Sequence, residues 1–364
     1  MTTDPPASRS AQWHSRSWWA SVGSIATVLA LGVAALAWWF PRSADSSTPQ
    51  NRNSAKPSFV DVIQTGTAEV TTTTFSPDGR LVATGGGNDH TVRLWNSTTG
   101  ELVRLLRGTA VVNAMAFSPD GATLITNGGL ELWNVATGEP EGSLRGGRGA
   151  VIYSITGGGG EAVAFSPDGK TIATGTDDNY IHLWDVATRE EMRSLRIADP
   201  VSTIVDSIAF SADGKILAAC GYEGTIWLWN TTTGTQLRTL THPGEDRPAL
   251  FLPSRQVAFG SHGNLATSGG GTVRIWNTST GELSHILTDS NQVVFSPDGR
   301  TVATASTRDY SVQLWNVANG APLHSFPGHT DMIAGLSFSP DGRLLAAGGI
   351  DHTVRLWDVS PFQP

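Results

Sequence analysis

The chain has 364 residues, enough for two ordinary domains or one large repeat domain. Charged residues make up only 15%, the net charge is −8, and no basic block occurs, which argues against nucleic acid as the main partner. The single cysteine, Cys220, forms no internal disulfide and offers no zinc spacing; within Leu217-Ala218-Ala219-Cys220 it reads as a small core residue.

Residues 1–17 form a short tail. From Trp18 to Phe40 the chain is uncharged and mostly Ala, Leu, Val and Trp, with Trp18-Trp19 at one end and Trp38-Trp39-Phe40 at the other. About 20 apolar residues cross a bilayer as a helix, and aromatic pairs at both ends suit its two interfaces. The rival reading is a cleaved signal peptide, with Arg9 and Arg16 before the apolar run and Ala35-Leu36-Ala37 as its cleavage site. A retained anchor over 18–40 is favoured, because the run is long for a signal peptide and the second Trp cluster has no role in one. Arg9 and Arg16 before the span, and Arg42, Arg52 and Lys56 after it, leave its orientation undecided. Residues 41–58, rich in Ser, Pro, Asn and Thr, read as a flexible linker.

The remainder is periodic. Trp95, Trp133, Trp184, Trp229, Trp276, Trp315 and Trp357 recur at intervals of 38, 51, 45, 47, 39 and 42 residues. Such a period signals a repeat architecture. Each Trp follows a turn sequence: Phe-Ser-Pro-Asp-Gly at 75–79, 117–121, 165–169, 295–299 and 338–342, with degraded forms at 210–214 and 259–263. Pro sets φ for the first central position of such a turn, and Gly takes the left-handed one. Thr-Gly or Asn-Gly follows most of the tryptophans, at 99–100, 137–138, 233–234, 280–281 and 319–320. Between these turns lie short runs of strand formers. Each unit therefore reads as a four-stranded antiparallel blade, with a small-residue second strand near a crowded axis and a bulkier Trp strand further out. One blade cannot bury both faces alone, so blades stack radially. The last unit lacks a fourth strand, while 59–64 precedes the first unit without a repeat of its own. Pairing the two gives an all-β, seven-bladed propeller over 59–361, preceded by one transmembrane helix.

These residues resemble the WD40-repeat family, and in particular a bacterial, membrane-anchored WD repeat protein. The marks are Trp-Asn or Trp-Asp at every repeat, an Asp six residues before Trp, and Gly328-His329 before the last blade. The resemblance implies hydrogen-bonded sets of His, Ser/Thr, Asp and Trp. By position the acid is Asp89, Asp178, Asp309 and Asp351, with Glu223 in blade four; the hydroxyl is Thr84, Thr174 and Thr304; the imidazole is His329. No blade shows all four, and blades two and five have shortened second hairpins without the Asp. Strand packing is therefore expected to outweigh these networks.

Catalytic motifs are missing from the sequence: it has no nucleophile elbow, HExxH, phosphate loop or Cys/His metal spacing, so neither cofactor nor metal is expected. Asn88-Asp89-His90 and Ile350-Asp351-His352 read as hairpin turns. The loop entering strand one and the loop between strands two and three share one face of the blade. The longest insertions, 145–160, 199–206 and 241–254, fall there. Four positions before each Phe anchor comes the residue starting strand one, at the mouth of the channel: Thr71, Asn113, Glu161, Asp206, Arg255, Asn291 and Ala334. This is either a mouth that is merely wet or a polar rim meeting a partner. Tyr153, Tyr180, Tyr222 and Tyr310 lie on or near the same face, and Tyr is enriched at binding surfaces.

The expected function is a non-enzymatic, membrane-tethered scaffold or sensor that binds a protein or peptide. Its propeller is expected outside the cell, by likeness to propellers that follow the membrane span of bacterial membrane kinases. The alternatives are a ligand-binding or enzymatic propeller using the channel, with Glu161 and Asp206, and a structural subunit of an envelope complex.

Overall fold

The computed structural model describes residues 59–66, 69–86, 89–127, 129–144, 162–176, 178–197, 205–221, 224–241 and 256–364. The run 18–40, the tail before it and the linker after it lie outside these residues. Among the described residues no helix is long and apolar enough to cross a membrane.

Seven four-stranded antiparallel sheets follow one another in chain order. Blade one comprises Val70–Phe75, Leu81–Gly86, Thr91–Asn96 and Leu102–Arg107. Blade seven draws three strands, Ile333–Phe338, Leu344–Gly349 and Thr353–Asp358, from one end of the repeat region. Its fourth, Phe59–Gln64, comes from the other end and pairs with Thr353–Asp358. First strands of consecutive blades touch all round the ring, and that of blade seven meets that of blade one. Strand one is therefore innermost.

Short-range chemistry builds each blade. Ser76 Oγ donates to Asp78 at 2.6 Å and accepts the Leu81 N–H at 3.0 Å, while Gly79 takes φ +72. This set recurs at Ser118, Ser166, Ser211, Ser296 and Ser339. The side-chain acceptor closes the turn where the backbone has no ladder partner. The residue after each Trp does the same for the next turn: Asn96 Oδ1 accepts the N–H groups of Thr98 and Thr99, both at 2.9 Å. In every blade a β-bulge between strands three and four sits at the Trp. The extra residue lies on strand four, as Val103 does in blade one, and faces the strand that carries the indole. The indole N–H reaches the second strand: Trp95 to Thr84, Trp184 to Thr174 and Trp276 to Thr267 at 2.9 Å, Trp315 to Thr304 at 2.8 Å and Trp133 to Thr126 at 3.3 Å. Thr126 and Thr267 supply the hydroxyl in the very blades whose second hairpins are shortened. Blades four and seven have Ala219 and Ala347 at this position.

Packing happens between blades. Each apolar cluster among the described residues draws on two neighbouring blades. The cluster of Ile63, Val70, Phe75, Val82, Trp95, Ala346, Val354 and Leu356 closes the ring. Small residues in strand two follow from this burial. A Cβ on Gly85 would lie 2.9 Å from Val112 Cγ1 of the next blade, and one on Gly175 would lie 2.5 Å from Val205. Hydrogen bonds cross the seams as well: Phe75 N–H to Ser337 Oγ at 3.1 Å, Val257 N–H to Ser207 Oγ at 3.2 Å, and Val293 N–H to Gln256 Oε1 at 3.1 Å.

The closing blade carries the fullest polar set. Asp351 accepts from Thr330 N–H at 2.9 Å and Thr353 hydroxyl at 2.7 Å, and sits 3.0 Å from His329 Nδ1. His329 stands edge-on to Trp357. Burial, the largest influence on His329, holds its imidazole below the ordinary 6.5 against the pull of Asp351. Burial opposes charge on Asp351, but the Thr330 N–H, the Thr353 hydroxyl and His329 outweigh it and hold the carboxyl below 3.8.

Three expectations follow. A Cβ on Gly348 would lie 2.2 Å from Thr73 Oγ1 and 2.4 Å from Val70 Cγ1. Gly348→Ala should therefore cost about 1–3 kcal/mol by overpacking the closing seam, read as a lower denaturation midpoint. Asp351→Ala should cost about 1–3 kcal/mol through unsatisfied donors, and an unchanged Tm would refute the role of the network. Both depressed groups stabilise the fold above their unfolded pKa values and lose that contribution as pH falls through the folded ones. Tm should thus begin to drop below about pH 6.5, His329 titrating before Asp351, and drop less in His329→Gln.

Candidate functional site

Strand one lines the centre of the ring, so its first residue stands at one mouth. In blades one, four, six and seven it enters through a β-bulge, and the extra residues are Thr71, Asp206, Asn291 and Ala334. In blades two, three and five strand one is shorter, Met115–Phe117, Val163–Phe165 and Val257–Phe259, and the corresponding residue precedes it. Bulges leave a residue unpaired and redirect its side chain. The expected polar series is thus a structural position, but its members differ. Asn113 is exposed and Asp206 partly so. Thr71 turns its hydroxyl to the carbonyls of Gly85 and Val112, at 3.1 and 2.6 Å, and ties blade one to blade two. Asn291, expected on the rim, is instead 5% exposed, with Oδ1 buried and unpartnered. The structure thus corrects its placement: Asn291 is buried, although the same bulge leaves Thr71, Asp206 and Ala334 part-exposed. Tyr153, Glu161, Tyr222, Glu223 and Arg255 lie outside the described residues, as do most of the three long insertions.

The second part of this face is the turn between strands two and three. In every blade the residue ahead of strand three, or one place earlier in blade six, is left-handed: His90, Leu130, Asn179, Gly224, Gly271, Tyr310 and His352, with φ of 58, 50, 67, 78, 76, 57 and 63. Where the turn has its Asp, the carboxylate fixes it. Asp89, Asp178, Asp309 and Asp351 accept the N–H two residues on, at 3.1, 2.9, 3.1 and 3.1 Å. Bonds from Ser306 and Ser311 hold the Asp309 carboxyl below its ordinary range. On Asp89, burial opposes charge, but Arg93 and Thr91 outweigh it. A side chain in this conformation costs about 1–2 kcal/mol that glycine avoids. His90, Asn179, Tyr310 and His352 are held there part-exposed, and the cost falls most on Tyr310, since Asn and His tolerate this region better.

Several residues of this face were not found by sequence reasoning. Asn127 Oδ1 accepts the N–H groups of Asn113 and Ala114, both at 3.0 Å, and Ser268 Oγ accepts that of Gln256 at 2.9 Å. They anchor the entering chain in blades two and five, which lack the Asp. His182 lies 2.8 Å from Glu191 and 3.1 Å from Asp178. Its signal was a column: two residues before Trp stand Arg93, His182, Arg274 and Arg355. Among the described residues no group of three His, Cys, Asp or Glu is placed to hold a metal ion. Cys220 is buried.

The chain matches the model of the WD domain, G-beta repeat, at residues 59–96, 100–133, 138–185, 196–230, 280–316 and 320–358, more than half its length. The inner strands of blade five fall outside the match. Similar curated proteins include Nuclear distribution protein PAC1 of Arthroderma otae, 36% identical over 69 residues, which is 19% of this chain and 15% of that one. COMPASS component SWD3 of Saccharomyces cerevisiae is 38% identical over 69 residues, 19% of this chain and 21% of that one. Periodic tryptophan protein 2 homolog of Schizosaccharomyces pombe is 36% identical over 67 residues, 18% and 8% of the two chains. The similarity thus spans about a fifth or less of each relative. With a repeat match over most of the ring and seven sheets of one pattern, the chain belongs to the WD40 repeat family.

Proposed function

We propose that this propeller is a non-catalytic protein-interaction scaffold, recognising a protein or peptide on the face of the strand-one entries and the turns between strands two and three. The observation that carries this reading is the set of part-exposed, left-handed side chains on the turns between strands two and three, His90, Asn179, Tyr310 and His352, of which Tyr310 is the bulkiest and bears the clearest conformational cost. A relative named as a COMPASS component is by that name part of a larger assembly, which is consistent with it. The same proposal places residues 18–40 in a membrane as a retained anchor, with the propeller on the extracytoplasmic side. The long uncharged run with Trp at both ends supports the anchor.

Because Cys220 is buried, a thiol-directed cross-linker on Asn113→Cys or Tyr310→Cys reports on this face alone. In intact cells both variants should capture the same protein, and Arg343→Cys on the opposite face should not. Equal capture from both faces would sink the reading. Tyr310→Gly should gain roughly 1 kcal/mol of stability while weakening that capture. Protease added to intact cells should cut the propeller, and full protection would reverse the proposed orientation.

A further inference from the structure

Blade three differs from its neighbours two residues before the Trp. Its third strand reads Tyr180-Ile181-His182-Leu183-Trp184, where blades one, five and seven have Arg93, Arg274 and Arg355. In blade one the cation is permanent. The Arg93 guanidinium reaches Asp89 at 2.6 Å and donates to the Thr91 hydroxyl at 2.7 Å, and so holds the turn between strands two and three. His182 takes the same place with a group that can lose its charge.

Strand alternation puts His182 on one face with Tyr180 and Trp184, and its ring lies between theirs, with centroids 6.1 and 5.9 Å away. The residue is only 6% exposed. Nε2 lies 3.1 Å from Asp178 Oδ2, in the turn. Nδ1 lies 2.8 Å from Glu191 Oε1, at the start of strand four, Glu191–Arg196. Glu191 also accepts the Ser194 hydroxyl. Burial opposes charge on Glu191, but His182 and Ser194 outweigh it and hold the carboxyl below its ordinary range. Tyr180 is the other titratable group against the ring. Arg193 of strand four lies instead against Gly234 of blade four, and Arg189 pairs with Glu141 of blade two. Among the described residues no further hydrogen bond or ion pair reaches the ring.

An ionised carboxylate only accepts, and a neutral imidazole has a single N–H. The neutral ring can therefore serve one of its two carboxylates and turns a lone pair on the other. Imidazolium donates to both. When the proton leaves, the contact to Asp178 gives way, because it is the longer one and its carboxylate is 42% exposed, against 18% for Glu191. Asp178 is the clasp of the turn. Its Oδ1 accepts the Tyr180 N–H at 2.9 Å and the Thr176 hydroxyl, around a left-handed Asn179 at φ 67.

We propose that His182 is a proton-operated strap across blade three. Protonated, it ties the turn 178–180 to the outer strand; deprotonated, it keeps Glu191 and lets the turn go. Its hold is present at low pH and lost as pH rises, the reverse of the His329–Asp351 pair. The turn belongs to the face assigned above to the partner, so its bearing on binding rests on that reading. The strap itself is tested with no partner present, so the two can fail separately.

The test is hydrogen exchange of the full chain, corrected for intrinsic rates and read by mass spectrometry between about pH 5 and 8, where an imidazole changes charge. A peptide covering 178–183 should lose protection about ten-fold or more as pH rises, the scale of a hydrogen bond to a charged group. One covering 309–313 should not, since there the Ser311 hydroxyl meets Asp309 and Gln313 stands in the place of His182. His182→Arg should hold the turn throughout, as Arg93 does in blade one. Glu191→Gln should do the same, because its amide donates to the neutral ring and leaves the ring N–H for Asp178. A profile over 178–183 as flat as that over 309–313 in the unmodified chain overturns the inference. So does a loss of protection that persists in either variant.

Discussion

The seam between neighbouring blades is the constraint on which everything else in this molecule depends. A blade has two apolar faces and cannot cover either by itself. Stacking covers both only if the stack has no ends, so the ring must close. Closure is achieved twice over. The strand 59–64 completes the last blade, and the cluster from Ile63 to Leu356 joins that blade to the first. At this seam Gly335 and Gly348 let the backbone of one blade reach that of the other: a Cβ on Gly335 would lie 2.6 Å from the Thr73 nitrogen.

Given closed seams, the repeated residues have local duties. The Ser-Pro-Asp-Gly turn satisfies its own polar groups, the Asn or Asp after Trp does likewise, and in five blades the indole N–H reaches a threonine of strand two. These duties recur in most blades, with Ala219 and Ala347 replacing the threonine in blades four and seven and a degraded turn in blade five. Asymmetry comes from the exceptions. Blade five loses its Pro, its turn Asp and the Arg of strand four together, and a depression lined by His262, His285 and Arg300 lies at its border with blade six.

The two faces differ for a reason inherent in antiparallel strands. Turns between strands one and two emerge on one side and turns between strands two and three on the other. On the first side the chain uses Pro and Gly, which pack as a belt, Pro77 on Gly121 among others. On the second it uses Asp followed by a left-handed residue, and in four blades that residue is His, Asn or Tyr rather than glycine. Left-handed side chains are not confined to it, since Arg189 and His262 take the same conformation on the first side.

Much of this was legible before any coordinates. Trp spacing, seven Phe anchors and the unmatched strand at 59–64 fix the number and content of the blades, because turn chemistry and alternation are local properties of the chain. Asp351, His329 and Thr84 were legible for the same reason. Thr126, Thr267, Asn127 and Ser268 were not, since their hydrogen bonds depend on which strand lies beside them. Asn291 shows the limit from the other side: a polar residue at a rim position is buried by its neighbours in the fold, which its own sequence does not announce. The sequence by itself determined the repeat, its turns and its partners within a blade. Only the tertiary structure decided which small residues face a neighbouring backbone and which seam stays unfilled, because those depend on the distance between blades, a property of the closed ring.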